Sequence, residues 1–177
     1  MFALNKPYSG HIRGLRGADY ECYRQSRRAG ISIGRKTFRA LLSSSTQDIK
    51  SIVPLPQDRN IPIVNKRDEI LFDSWEQLFN GNGGFFNTST PIYSFDGRNV
   101  RTSSRWPQKY VWHGSDKRGS MQSDFSCQGW HSGYRNSKGY ASNLLEGKLV
   151  DTNTMSCDNK YVVLCIQNTS GGSKKRK

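Results

Sequence analysis

The run Gly30-Ile31-Ser32-Ile33-Gly34 has the G-x-S-x-G spacing of a nucleophile elbow. An elbow needs a strand before its serine and a helix after it. Here a basic helical stretch precedes and strand-forming residues follow, so the run reads as a glycine-rich connection. Three histidines, His11, His113 and His131, lie too far apart in sequence for paired metal ligation on one element. Asp68 and Glu69 are adjacent and read as a solvated face and a cap. No phosphate-cradling glycine loop occurs, and nothing assembles into an active site.

The cationic residues are a stronger signal. Between His11 and Arg39 stand Arg13, Arg16, Arg24, Arg27, Arg28, Arg35, Lys36 and Arg39, against Asp19 and Glu21. Guanidinium grips sulfate or phosphate through a planar two-point fork, whereas ammonium is a hydrated point charge. Arg24, Arg27 and Arg28 have the spacing that shares a helical face. Arg13 and Arg16 fall in a glycine-rich turn where backbone can approach a ligand closely. The plain alternative is a solvated basic face. The aromatic-interleaved strand of RNA-binding modules is absent.

As a whole, a chain of 177 residues suits one domain. The hydrophobic share is only 34%, but 8 Phe, 8 Tyr and 4 Trp supply enough large rings for a core. The longest apolar run, Val162-Val163-Leu164-Cys165-Ile166, is far too short to span a bilayer. The first residues carry no signal-peptide pattern, which fits either a cytosolic protein or a piece of a longer secreted one. Net charge is +13, and the first fifty residues hold 10 basic groups against 3 acidic. A chain this basic accumulates polyanions: nucleic acid, acidic lipid or sulfated glycan.

Cys22, Cys127, Cys157 and Cys165 form no Cys-x-x-Cys pair; an even count fits two disulfides, with three connectivities open. Sequons at Asn87 and Asn168 join them in favouring the oxidising, extracellular side. Helices are expected over Asp19–Ala29, stopped by Gly30, and after the capping box Ser74-Trp75-Glu76-Gln77, stopped by Gly81. Strand signals fall at 37–42, 62–64, 92–95 and 161–165, with a turn at Asp96-Gly97. Few helices, short strands and long loops predict an α+β fold. Residues 171–177 read as a flexible basic tail on a globular unit spanning 1–170.

At this level the chain resembles the endostatin domains, the C-terminal globular domains of type XV and XVIII collagens. The matching stretches include Arg13-Gly14-Leu15-Arg16-Gly17-Ala18-Asp19, Leu42-Ser43-Ser44, Ser74-Trp75-Glu76, Ser94-Phe95-Asp96-Gly97, Trp106-Pro107-Gln108-Lys109 and Val111-Trp112-His113-Gly114-Ser115-Asp116. They run from about residue 3 to 168. The resemblance implies a compact C-type-lectin-like domain with two main helices and nested bridges, Cys22–Cys165 and Cys127–Cys157. It also implies a secreted, basement-membrane setting and attachment to a parent collagen chain. The expected partners are heparin or heparan sulfate and an integrin or other cell-surface receptor, with effects on adhesion, angiogenesis and axon guidance.

The sequence departs from the pattern in several places. In vertebrate members an N-terminal histidine-containing segment binds zinc together with an Asp matching Asp68; that segment is missing here, so no zinc is expected. Of the family's heparin-binding arginines only Arg13 and Arg16 match; Ser45, His131 and Pro54-Leu55 stand at the others. Arg24, Arg28, Arg35 and Lys36 are the expected substitutes. Three extra residues lengthen the loop near Ile33-Gly34-Arg35. Calcium-lectin triplets are absent. No cofactor, catalysis or specific nucleic acid is expected, although a basic nucleic-acid-binding module is the rival reading.

Overall fold

The computed structural model describes residues 1–31 and 37–168. One long helix, α1 (Gly14–Arg28), packs against a sheet of three antiparallel strands in the order β1 (Phe2–Ala3), β8 (Leu164–Asn168), β2 (Thr37–Ala40). A second antiparallel sheet orders β5 (Tyr110–Trp112), β6 (Lys138–Asn143) and β7 (Asn153–Ser156). A two-stranded ribbon pairs β3 (Ile63–Val64) with β4 (Ile70–Phe72). A short helix, α2, spans Pro56–Arg59. The two larger sheets are joined where Val162 bridges Val111, with the Trp112 amide donating to the Val162 carbonyl at 3.0 Å.

α1 begins at Gly14, earlier than the charge pattern suggests, and no Ser, Thr, Asp or Asn caps it. Arg13 occupies the cap position with φ +62° and makes no side-chain capping bond there. Asp19, the expected start, sits inside the helix instead. Its Oδ1 accepts the Ala40 amide at 2.8 Å and so ties α1 to β2. Burial pushes that carboxyl up. The other end follows the sequence: Gly30 has φ +69°, Ile31 N–H donates to Ser26 O and Gly30 N–H to Arg27 O, a Schellman closure.

The second expected helix is a single 3₁₀ turn, Glu76–Phe79. Its capping signal is real, since the Gln77 amide donates to Ser74 Oγ at 3.1 Å while Gln77 Oε1 accepts the Asp73 amide. Trp75 and Leu78 are buried, and the glycines that follow stop it after one turn. Residues 92–95 make bridges rather than a strand: Ser94 meets Ala3 and Tyr93 meets Asn99 around the expected turn, where Gly97 has φ +87°.

The aromatics build the core. Phe2 stacks on Phe95 at 4.9 Å and Phe38 meets both edge-on. Trp106, Trp112 and Trp130 are wholly buried. The Trp130 indole N–H donates to Ser43 O at 2.6 Å and that of Trp112 to Tyr8 O at 2.9 Å, so both of these polar edges are satisfied in the interior. The bridges are nested as expected. Cys22–Cys165 links α1 to the central strand β8, and Cys127–Cys157 links residues 30 apart in sequence. No helix among the described residues is long and apolar enough to cross a membrane.

Candidate functional site

The start of α1 faces a cleft of about 540 Å³ whose walls include Arg13, Arg16, Ser45, Thr46, Gln128 and His131. Its lining contains no carboxylate. Three physical features converge there. Arg13 and Arg16 are exposed cations. The helix has neither a side-chain cap nor an acidic residue in its first turn, so its first amides retain their partial positive charge. Hydroxyls of the 44–46 loop stand opposite as uncharged hydrogen-bonding groups.

Unusual backbone holds this arrangement. Cys127, Gln128, Gly129 and Trp130 have φ of +50°, +55°, +65° and +68°, a left-handed turn in which three members are not glycine. Arg13 (+62°) and Gly14 (+70°) face it with the same hand. Each such non-glycine residue costs of order 1–2 kcal/mol, and strain of this kind gathers at binding sites. The surroundings fix it. The Ile12 amide donates to Trp130 O at 3.1 Å and Ser126 Oγ accepts the Gly129 amide at 3.2 Å. Cys127 is fastened to Cys157 and wedged between Gly10 and Gly139, where an added Cβ would stand 2.4 Å and 2.7 Å from its Sγ.

Arg13 and Arg16, the two arginines matching the resemblance, both line the cleft; Arg24, Arg27, Arg28 and Arg39 do not. Arg24 is paired with Glu21 at 2.6 Å, and Gln25 joins from the same helix. Burial pulls the Glu21 carboxyl up, but the bonds from Arg24 and Gln25 outweigh it and hold it below its ordinary value. Arg27 and Arg28 are exposed in the last turn, complementing the helix dipole, and Arg27 stands ~16 Å along the axis from Arg16. Arg39, on β2, reaches Asp19 at 3.9 Å and Gln47 at 3.3 Å. Arg35 and Lys36 lie outside the described residues, as do positions 171–177 of the expected tail.

Gln128 is not recognisable in the sequence as a cleft residue, because it arrives from the left-handed turn, which no local pattern announces. Ser45 and His131 stand where the family pattern has an arginine. Asn87 is exposed and its Oδ1 accepts both the Ser89 amide and hydroxyl. Asn168 ends β8 opposite Thr37. Among the described residues no three His, Cys, Asp or Glu gather as metal ligands, so the side chains present do not fit a zinc site.

Fold and cleft together define a basic, disulfide-bonded α+β domain with an acid-free surface cleft at a helix start. The family model described as Collagenase NC10 and Endostatin matches residues 1–170, and the chain belongs to that family. It is 46% identical over 169 residues to the human collagen alpha-1(XVIII) chain. The match takes in 96% of this chain and 10% of that one, so this chain spans about a tenth of the collagen it resembles.

Proposed function

We propose that this domain is a non-enzymatic, extracellular-matrix module of a basement-membrane collagen that docks on heparan sulfate. The observation that carries this reading is the meeting of Arg13 and Arg16 at an uncapped helix start, in a cleft lined by no carboxylate. Sulfates repeat along the glycan, so a shallow cationic surface suits it better than a deep pocket. Guanidinium forks and helix-start amides are the donors that recognise tetrahedral anions. Two disulfides favour the oxidising exterior, where sulfated glycans are the abundant polyanions, over the compartments of nucleic acid. Through that anchorage the domain modulates adhesion and migration, including angiogenesis-type and axon-guidance processes, with an integrin-type receptor as its protein partner.

The test is retention on immobilised heparin and on a desulfated control at several salt concentrations. Sulfate recognition predicts retention on heparin alone, released steeply by salt. Equal retention on both matrices, or preference for single-stranded DNA over heparin in competition, would overturn the assignment.

A further inference from the structure

Residues 85–89 lie outside the Arg13/Arg16 cleft and carry the sequon Asn87-Thr88-Ser89. Exposure alternates along the approach to it: Phe85 is exposed, Phe86 buried and Asn87 exposed. That is the two-residue period of extended backbone, in which side chains two apart share a face. The pairing agrees, since Phe85 bridges Lys148 and the Phe86 amide donates to Gly147 O at 2.9 Å. The chain then turns back, with the Thr90 amide donating to Asn87 O at 3.0 Å and the Arg101 guanidinium donating to Thr88 O. Phe86 and Thr90 are both buried, so the exposed tripeptide is anchored at each end.

Ser89 fixes which way the Asn87 amide points. Its backbone N–H can only donate, so the atom it meets at 3.1 Å must be the amide oxygen. The Ser89 hydroxyl donates to the same Oδ1 at 2.6 Å. Nδ2 is left over, and no group among the described residues bonds it. On the same face stands Phe85, 55% exposed, a large ring outside the packed core. Lys148 Nζ lies 5.3 Å from its ring centroid and is itself held by Asp151 at 2.9 Å, which gives the ring a fixed backing.

We infer that Asn87 is an N-glycosylation site whose first N-acetylglucosamine packs on the exposed ring of Phe85. The inference goes beyond heparan sulfate docking and does not need it; it needs the secretory route that two disulfides favour. The co-reactant is an oligosaccharide carried on a lipid pyrophosphate. Nδ2 forms a bond to the anomeric carbon of the first sugar as that carbon's bond to the pyrophosphate oxygen breaks. The lipid pyrophosphate leaves with the electron pair, and Nδ2 gives up one proton. Residues two apart in extended backbone stand about 6.5–7 Å apart, a gap that one pyranose bridges. The C–H face of that sugar then covers apolar area that water otherwise meets.

The experiment secretes the unmodified chain, Ser89→Ala and Phe85→Ala from cultured animal cells behind an added leader peptide. Intact mass is read before and after an amidase that releases N-linked sugar and leaves aspartate at the acceptor. Peptide mapping then finds which asparagine was converted. The unmodified chain should lose an oligosaccharide mass and show conversion at position 87. Ser89→Ala should show none there, although it keeps the asparagine. Releasing the sugar should lower the thermal unfolding midpoint of the unmodified chain by about 2–4 °C. The Phe85→Ala glycoform, enriched on a lectin column, should show no such drop. No conversion at position 87, or conversion at Asn168 alone, would overturn the site. An equal change of midpoint in both proteins, none included, would overturn the packing on Phe85 and leave the site in place.

Discussion

The imidazole of His131 lies so close to Gly14 that a Cβ added there would stand 2.5 Å from its Nε2. That approach, between the residue after the left-handed turn and the first residue of α1, closes one wall of the Arg13/Arg16 cleft. Gly14 also has φ +70°, where an L side chain is strained.

Gly14→Ala should therefore act twice. The backbone strain alone should cost about 1–2 kcal/mol of stability. The displaced imidazole should open the cleft wall and lower the salt needed for heparin elution. Gly30→Ala is the control: it has φ +69° but an added Cβ meets nothing within 4 Å, so it should lose similar stability and keep elution unchanged. Denaturant unfolding and heparin chromatography of both variants check this; equal elution of the two would remove His131 from the site.

Much of the fold is legible in the sequence, and the failures share a cause. The Schellman stop at Gly30 and the Asp96-Gly97 turn rest on interactions within a few residues, and the sequence carries them. The Arg13/Arg16 pair is marked by its match to the family pattern. The helix start is misplaced because α1 lacks a capping side chain, and Asp19 bonds β2 from within the helix. The grouping of Arg24 with Arg13 does not survive Glu21, whose pairing with Arg24 is local but whose orientation depends on Tyr8 and Gln25. Gln128 and His131 reach the cleft through a left-handed turn held by long-range links, the Cys127–Cys157 bridge and the Ile12 amide on Trp130 O.

The two bridges should differ in worth. Chain entropy assigns about 5 kcal/mol to the bridge between Cys22 and Cys165, 143 residues apart, and roughly 4 kcal/mol to the one spanning 30. Their functional effects should differ more. Cys127→Ala/Cys157→Ala should abolish heparin retention at temperatures where the chain is still folded, because that bridge anchors the left-handed turn. Cys22→Ala/Cys165→Ala should lower the unfolding midpoint while the folded fraction elutes as before. Circular dichroism with heparin elution separates the two, and unchanged elution of the first variant would contradict the turn's role.

Acid should destabilise the fold through His113. Burial pushes its imidazole down to about 4, and the Ser115 amide donates to Nδ1, so the single proton sits on Nε2 facing Asp151 O at 2.7 Å. The folded value lies below the unfolded one, so the unfolded chain binds the extra proton first. Stability is then full above about pH 6.5 and falls as pH drops towards 4, by roughly 3 kcal/mol for this group. His113→Gln should flatten that part of the pH profile, measured by denaturant unfolding at fixed salt. An unchanged slope would place the acid response elsewhere.

The proposed function requires that the folded cleft, and not the basic residues 171–177, holds the sulfated chain. It is tested most directly by the salt concentration at which Arg13→Ala/Arg16→Ala leaves immobilised heparin, beside a chain ending at Ser170. Exposed charges contribute only ~0–1 kcal/mol to folding, so the double variant should remain as stable as the parent. It should elute at markedly lower salt, while the shortened chain elutes close to the parent because the fold already holds the cleft arginines in place. The reverse result, parent-like elution of the double variant and lost retention on shortening, would contradict the account.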